Sequence, residues 1–248
     1  MGLPRVLVVQ HTASEGALRL GDWLTEAGVA LEVVHPYAGE DLPSELDGYA
    51  GLLVLGGPQA AYADDHGEPG ASWLPATKAL LRAAVTAGVP TLAICLGAQL
   101  LAEALGGQVR PGSSGPEIGA RLVARRDVAA QDELFGLVPF TPDVLQWHDD
   151  EIAELPPGAV LLASSPMYAN QAFRVGERAW GLQFHIETTP EQVAAWAEET
   201  RDRLTALGID VDRAVAQAVA VHPDLEEVWR PVAQRFAAIA VAGVGASP

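Results

Sequence analysis

The first half of the chain alternates short apolar runs with segments of helical periodicity. Apolar runs of a few residues indicate buried strands, whereas apolar residues three and four positions apart indicate amphipathic helices. The pattern predicts strands at 6–10, 29–35, 51–57 and 89–95, and helices at 13–27, 73–87 and 96–105. Strands that alternate with helices in this way predict a doubly wound α/β fold, with a mostly parallel sheet and helices on both faces.

The second half begins with closely spaced strands and ends in helices. Predicted strands lie at 120–128, 143–149, 159–165, 171–177 and 179–185, and they indicate an antiparallel extension or further strands of the same sheet. From Thr189 onward the pattern is helical, and Pro190 suits a first helical turn. Two or three amphipathic helices are predicted at 190–206, 211–221 and 224–242. We expect a domain over 1–190 and a helical appendage over 191–248 that packs on it.

Composition narrows the class of protein. Of the 248 residues 49% are hydrophobic, which excludes a disordered chain. The sequence has no apolar run of the roughly 18 residues that a membrane span needs, and MGLPRVLVVQ lacks the layout of a signal peptide. A net charge of −17, with no basic cluster longer than Arg125-Arg126, argues against nucleic-acid binding. The single cysteine excludes an intrachain disulfide, and we expect a cytoplasmic protein.

That cysteine, Cys95, stands where the strand at 89–95 meets the following helix. A free cysteine is usually a small buried hydrophobe, and this interpretation competes with a chemical one. The small neighbours Ala93 and Gly97 match the layout of a nucleophile elbow. A helix N-terminus also favours a thiolate, and the carboxyl ends of parallel strands are where open α/β sheets bind ligands. Cys95 is therefore a candidate nucleophile.

A nucleophilic thiol needs a base, and the base needs a group that orients it. Of six histidines, His185 ends an apolar strand and precedes Glu187 by two residues, so both side chains fall on one face of an extended segment. Two alternatives stay open: a strand-end histidine bonded to backbone, or a metal ligand together with Glu187. Because no cysteine or histidine lies at metal-ligand spacing, we predict no metal.

Three segments together resemble the glutaminase domain of class I, or triad-type, glutamine amidotransferases. They are LGGPQAAY (55–62), AICLGAQLLA (93–102) and LQFHIET (182–188), in the order and rough spacing of that family. The resemblance covers about residues 5–190 and is strongest to stand-alone members, including γ-glutamyl peptidases, through QWHDDE (146–151) and ANQAFRVG (169–176). It implies a flavodoxin-like catalytic domain over 1–190.

The resemblance also implies a reaction. Cys95 would attack the side-chain amide of glutamine, or another γ-glutamyl bond, and form a γ-glutamyl thioester. His185 would serve first as acid and then as base, and Glu187 would orient it. The backbone N–H groups of Gly57 and Leu96 would form the oxyanion hole.

Further residues are assigned by the same resemblance. The residues implied to bind substrate are Gln99, Gly56 and Asp149, while Trp147 and His148 can equally be structural. No cofactor is implied, and the partner implied besides the γ-glutamyl substrate is a separate synthetase subunit that would receive ammonia.

The sequence departs from the family pattern at three places. Ala93 replaces the usual glycine of the elbow, Ile186 replaces the proline of H-P-E, and HGEPGAS (66–72) varies beside the oxyanion loop. None of these changes removes a reacting group. Three functions stay open: an ammonia-donating amidotransferase subunit, a γ-glutamyl peptidase or hydrolase that acts alone, and a non-catalytic binding or regulatory relative.

Overall fold

The computed structural model describes residues 2–63, 67 and 70–244, and an eight-stranded sheet organises them. The strands are β1 (Arg5–Val9), β2 (Ala30–Val34), β3 (Gly51–Val54), β4 (Thr91–Ile94), β5 (Gln108–Pro111), β6 (Glu117–Leu122), β7 (Ala124–Arg125), β8 (Asp143–His148), β9 (Asp150–Glu154), β10 (Val160–Ser164), β11 (Ala172–Val175) and β12 (Ala179–Leu182). Their order in the large sheet is β2-β1-β3-β4-β12-β11-β10-β7. The five strands from β2 to β12 are parallel, and β11, β10 and β7 are antiparallel.

Helices cover both faces of this sheet. They are α1 (Leu18–Glu26), α2 (Leu74–Ala87), α3 (Leu96–Ala104), α4 (Pro190–Ala206) and α5 (Val211–Val244). In β1, Val6 and Val8 belong to the core that contains α1 and α5 residues, whereas Leu7 and Val9 belong to the core that contains α2 and α3 residues. A strand buried on both faces therefore reads as a continuous apolar run. The predicted doubly wound, mostly parallel fold is confirmed.

The antiparallel part is more divided than the sequence predicted. The single strand expected at 120–128 is two strands that separate at Val123: β6 pairs with β8 in a two-stranded sheet, while β7 joins β10 at the edge of the large sheet. A second two-stranded sheet joins β5 and β9, which the sequence pattern did not predict. Both small sheets pair short strands that are distant in sequence, so local periodicity carries little signal for them.

Two helices differ from their predicted bounds. The helix expected at 13–27 begins only at Leu18, whose φ of 40° is unusual for a residue with a side chain, and the preceding residues form a loop. The helices expected at 211–221 and 224–242 are one helix, α5, which continues through Pro223 and Pro231. An internal proline costs about 3 kcal/mol. Buried side chains on both sides of Pro223, among them Ala218, Leu225 and Trp229, offset that cost by packing into the core.

Some of the sequence interpretation falls outside the described residues. Residues 66, 68 and 69 of the variable segment 66–72 lie there, as do residues 245–248 at the end of the chain. Among the described helices, none is long and apolar enough to cross a membrane.

Candidate active site

Cys95 occupies a strained turn between β4 and α3. Its φ of 49° and ψ of −108° lie outside the conformations that residues with side chains ordinarily adopt, and only one other non-glycine residue among those described has a positive φ. The turn is held because the Cys95 N–H donates to the Leu182 carbonyl (2.7 Å). A Cβ on Gly97 would stand 2.3 Å from the Val54 carbonyl oxygen, so α3 can approach β3 only with glycine there. The predicted elbow forms with Ala93 in place of glycine.

His185 and Glu187 lie beyond the end of β12, beside this turn. The backbone of His185 forms an isolated bridge with Leu145 of β8, which fixes the segment. Its Nδ1 lies 2.6 Å from a Glu187 carboxylate oxygen, and the other carboxylate oxygen accepts a bond from the Ile186 N–H (2.9 Å). A proline at position 186 has no N–H and could not make this second bond. The departure from H-P-E thus adds a contact that orients Glu187.

The charges around His185 favour its protonated form. Burial opposes a charged imidazole, but the carboxylate of Glu187 and the electrostatic and hydrogen-bonding interaction with the sulfur of Cys95 outweigh burial and raise the pKa of His185 well above its ordinary value. Since the Glu187 contact occupies Nδ1, the other ring nitrogen, Nε2, is the one available to a thiol or a substrate. This arrangement suits a histidine that carries a proton between a nucleophile and a leaving group.

A cavity of about 420 Å³ opens over the thiol. Cys95 and His185 line it, together with the predicted residues Gly57, Gln99 and Asp149. Its remaining wall comes from the loop before α1, residues 58–60 after β3, the end of β8 with the start of β9, and one face of α4. This volume is within the range of small-molecule sites.

The predicted oxyanion residues are neighbours, and one of them, Gly57, lines the cavity. A Cβ on Gly57 would lie 2.9 Å from a methyl carbon of Leu96, and Leu96 begins α3, where the first N–H groups have no partner within the helix. A Cβ on Gly56 would lie 3.2 Å from the Cε1 of His185 and 3.6 Å from the Cβ of Cys95. A side chain at position 56 would therefore occupy the space between the imidazole of His185 and the side chain of Cys95.

The predicted substrate residues differ in their surroundings. Gln99 is buried and donates to the side chain of Gln183 (3.2 Å), which in turn donates to the sulfur of Cys95 (3.8 Å). The sequence analysis did not single out Gln183, although it belongs to the LQFHIET segment. Asp149 is exposed at the mouth of the cavity and pairs with Arg203 of α4 (2.5 Å).

The β8–β9 turn that carries Asp149 rests on a buried pair. The Nδ1 of His148 lies 2.8 Å from the Asp150 carbonyl oxygen, and its Nε2 lies 3.3 Å from the carboxylate of Glu117. Ser165 and Gln171 donate to the same carboxylate, and the bonds from His148, Ser165 and Gln171 lower the pKa of Glu117 against the opposing effect of burial. These contacts assign His148 a structural role in fixing the turn.

Sequence reasoning missed the cavity residues contributed by the loop before α1 and by α4. Glu15 lies in the loop, in a segment that was predicted to be helical, and its neighbours Ser14 and Gly16 are the available signal for a loop. Burial raises the pKa of Glu15 to about 7; Glu187 and Glu199 raise it too, and His185 lowers it. The cavity residues of α4 are Trp196, Glu199, Thr200 and Arg203.

The groups around His185 do not form a metal site in the described part of the chain. Within residues 2–63, 67 and 70–244, no group of three or more His, Cys, Asp or Glu side chains could hold a metal ion. The polar contacts of His185 are to Glu187 and Cys95, as expected of a base held beside a thiol by an orienting carboxylate.

Comparisons with known proteins find a family model and similar chains. The family model described as glutamine amidotransferase class-I matches residues 19–197. The chain is 31% identical to the glutamine amidotransferase-like protein YfeJ of Salmonella typhimurium, over 91% of this chain and 95% of that protein. It is 28% identical to γ-glutamyl peptidase 5 of Arabidopsis thaliana, over 77% and 74% of the two chains.

The chain is also similar to part of longer proteins and to solved structures. The chain is 34% identical to a glutamine-hydrolysing GMP synthase of Thermotoga maritima over 73% of its length, and it spans about a third of that synthase, 32%. The crystal structure of a glutamine amidotransferase from Thermotoga maritima superposes with a TM-score of 0.82 at 30% identity and covers 96% of this chain and 99% of that chain.

Proposed function

The chain belongs to the class I glutamine amidotransferase family, and on that premise we propose that it hydrolyses γ-glutamyl amide bonds through a thioester on Cys95. The observation that carries the proposal is that a strained cysteine elbow and His185, which is bonded to Glu187, line one cavity. Two of the similar proteins bear names that fit such chemistry, a glutamine amidotransferase-like protein and a γ-glutamyl peptidase.

The first half of the proposed reaction releases an amine. The sulfur of Cys95 attacks the γ-carbonyl carbon while His185 holds the thiol proton, and a C–S bond forms. The N–H groups of Gly57 and Leu96 stabilise the oxyanion. His185 then passes its proton to the leaving nitrogen, the C–N bond breaks, and a γ-glutamyl thioester remains. Glu187 keeps the imidazole in the required tautomer and stabilises its cation.

The second half consumes water. His185, now neutral, takes a proton from a water molecule, and the oxygen attacks the thioester carbon through a second oxyanion. The C–S bond breaks, glutamate leaves, and the proton returns to the sulfur. No cofactor takes part in either half.

The γ-glutamyl group is proposed to lie between Gly56, Gln99 and Asp149. Gln99 and Gln183 form a bonded pair that faces the thiol, and Asp149 stands on a turn that the His148–Glu117 pair holds. We also propose that residues 191–248 complete the catalytic unit of residues 1–190, because α4 supplies part of the cavity wall.

The single cysteine permits a sharp test. The pure protein is incubated with glutamine and other γ-glutamyl amides, and released glutamate is measured. A glutamine-like electrophile such as 6-diazo-5-oxonorleucine should add once to the wild type and not at all to Cys95→Ala, which should also release no glutamate. The matched control is His35→Ala, because His35 also faces a carboxylate, that of Glu40 (3.3 Å), but at the surface. Full activity in Cys95→Ala would refute the mechanism.

A second candidate is an amidotransferase subunit that passes ammonia to a synthetase on another chain. The likeness to part of a glutamine-hydrolysing GMP synthase favours it. This candidate predicts that the isolated chain is labelled on Cys95 but turns over slowly on every γ-glutamyl compound until a synthetase is added. A non-catalytic relative predicts neither labelling nor turnover.

A further inference from the structure

The contacts of the proposed triad hold the imidazole of His185 at one ring nitrogen. Its Nδ1 is bonded to Glu187 (2.6 Å), and this bond fixes the position of that nitrogen. The Cε1 edge of the ring faces Gly56, which has no side chain that could pack on it. A group that carries a proton must keep Nε2 directed at its partners, because a misplacement of about 1 Å can cost about 100-fold in rate. The plane of the ring therefore needs a further contact.

Trp196 of α4 makes such a contact. Its indole packs on the His185 imidazole, with ring centroids 4.8 Å apart and an interplanar angle of 58°. Within the described part of the chain, it is the one aromatic ring packed on this imidazole. Trp196 is only 5% exposed, and its ring also packs on Trp147 of β8, with centroids 5.9 Å apart. The indole is thus itself held in place by the core.

The connection from the triad to this indole is short. Two residues separate Glu187 from Pro190, which begins α4. The second of them, Thr189, caps the helix by accepting a bond from the Gln192 N–H (3.2 Å). Trp196 lies six residues into the helix, about 9 Å along its axis at 1.5 Å per residue. A capped helix therefore carries the indole back to the imidazole that the chain has just left.

The contact depends on the indole ring and not on its N–H. This N–H is buried and has no hydrogen-bond partner among residues 2–63, 67 and 70–244. An aromatic ring within about 6 Å of a cation attracts it. Because the groups around His185 favour its protonated form, the indole of Trp196 is placed to stabilise the imidazolium as well as to fix its plane.

We propose that Trp196 is a positioning residue for the reaction: its indole holds the plane of the His185 imidazole, so that Nε2 stays directed at the Cys95 thiol and at the leaving nitrogen. This inference rests on the proposed γ-glutamyl hydrolysis and adds to it a residue outside the triad. It also gives the C-terminal helices a direct part in the chemistry, because α4 carries this residue.

The first measurement is the pH dependence of Cys95 alkylation by iodoacetamide, which needs no substrate. The thiolate is the reactive form, and a protonated imidazole beside it favours the thiolate. Trp196→Leu should move the midpoint of the labelling rate upward by about 0.5 to 1 pH unit, because the imidazolium loses its aromatic neighbour. Trp196→Phe keeps an aromatic ring and should keep the wild-type midpoint. The titratable groups that face the imidazole, Glu187, Cys95 and Glu15, are the same in both variants.

The second measurement is steady-state hydrolysis of glutamine, or of the γ-glutamyl amide that the wild type cleaves fastest. Trp196→Leu should lower kcat about 10-fold to 100-fold and leave KM within about twofold, because the indole acts through the histidine. Trp196→Phe should recover most of kcat. Trp196→Met, whose flexible side chain fills irregular gaps, replaces the leucine variant if that protein is insoluble.

Trp23→Leu is the matched control. Trp23 is as buried as Trp196, 4% against 5% exposed, but it lies on α1 and is not among the residues that line the cavity. Its replacement should lower the melting temperature, because it leaves a void in the core. The labelling midpoint and kcat should stay at their wild-type values.

The outcomes separate this inference from the proposed function. If the wild type releases glutamate from no γ-glutamyl amide, the proposed function fails, and the labelling midpoints still test the contact of Trp196 with His185. If the wild type is active and Trp196→Leu keeps the wild-type midpoint or the wild-type kcat, the function stands and the positioning role is refuted. The role is also refuted if Trp196→Phe loses as much as Trp196→Leu. An equal shift in Trp23→Leu would refute it too, because a general loss of packing would then explain the effect.

Discussion

Replacing Glu15 by glutamine should stabilise the folded protein at neutral and alkaline pH. The carboxylate of Glu15 faces Glu187 and Glu199, and burial together with these charges raises its pKa to about 7 from the ordinary value of 4.5. His185 acts in the opposite direction but does not cancel the effect. Glutamine has nearly the same shape and carries no charge, so the substitution removes the cost of ionising this site and little else.

The direction of the pH dependence follows from the protonation of Glu15 in the folded and in the unfolded chain. Between pH 4.5 and about 7 the folded chain keeps a proton on Glu15 that the unfolded chain has released, so the free energy of unfolding falls as pH rises through this range. Below pH 4.5 both states are protonated and the cost is absent. Above pH 7 the full cost is present, about 3 kcal/mol from the pKa difference. Solvent in the cavity screens part of it, so we expect about 1 to 3 kcal/mol at pH 8.

Urea unfolding of wild type and Glu15→Gln at pH 5 and pH 8 measures this difference. The variant should gain little at pH 5 and about 1 to 3 kcal/mol at pH 8, with an unchanged m-value. The control is Glu227→Gln, an exposed glutamate on α5, which should change stability by less than about 0.5 kcal/mol at either pH. Equal effects of Glu15→Gln at both pH values, or a loss of stability at pH 8, would refute the reasoning.

Four further predictions concern the triad, the oxyanion loop and the C-terminal helices. His185→Ala should cost as much activity as Cys95→Ala, and Glu187→Gln should cost less, in steady-state assays; a mild His185→Ala would disprove the assigned base. Gly56→Ala should lower kcat at least tenfold, because the new Cβ would stand 3.2 Å from His185, while the melting temperature stays near that of wild type. Trp229→Ala should lower the free energy of unfolding by about 3 to 5 kcal/mol in urea, since its fully buried ring contacts Phe184 and its N–H donates to a β8 carbonyl. Truncation near residue 190 should give insoluble or unstable protein; a soluble and active fragment, together with a full-length chain that is silent on every γ-glutamyl compound, would show that the helices serve a partner.

The sequence by itself determined the sheet and the position of the thiol. Runs such as VLVV (6–9) are apolar on both faces, which favours interior strands. Gly28, Gly88 and Gly106 follow the first three helices and marked where each helix ends. Cys95 stood at a strand-to-helix junction whose small neighbours allow the turn, and that local signal was sufficient to place it.

The sequence pattern predicted less well those elements whose structure depends on contacts with residues distant in the chain. Pro223 signalled a break in the C-terminal helix, yet buried side chains on both sides of it keep α5 continuous. The pairings of β5 with β9 and of β6 with β8 join strands separated by twenty or more residues, so no local period could reveal them.

Only the tertiary structure decided what surrounds the thiol. Glu15 belongs to a segment with a helical pattern, and it enters the cavity because the chain delays α1 until Leu18. Glu199 appears in the sequence as an ordinary charge on an amphipathic helix, and it lines the cavity because α4 packs Trp196 against His185. Periodicity tells which face of an element is buried, but the partner of that face is set by how the whole chain packs, and the charge around the site is decided at that level.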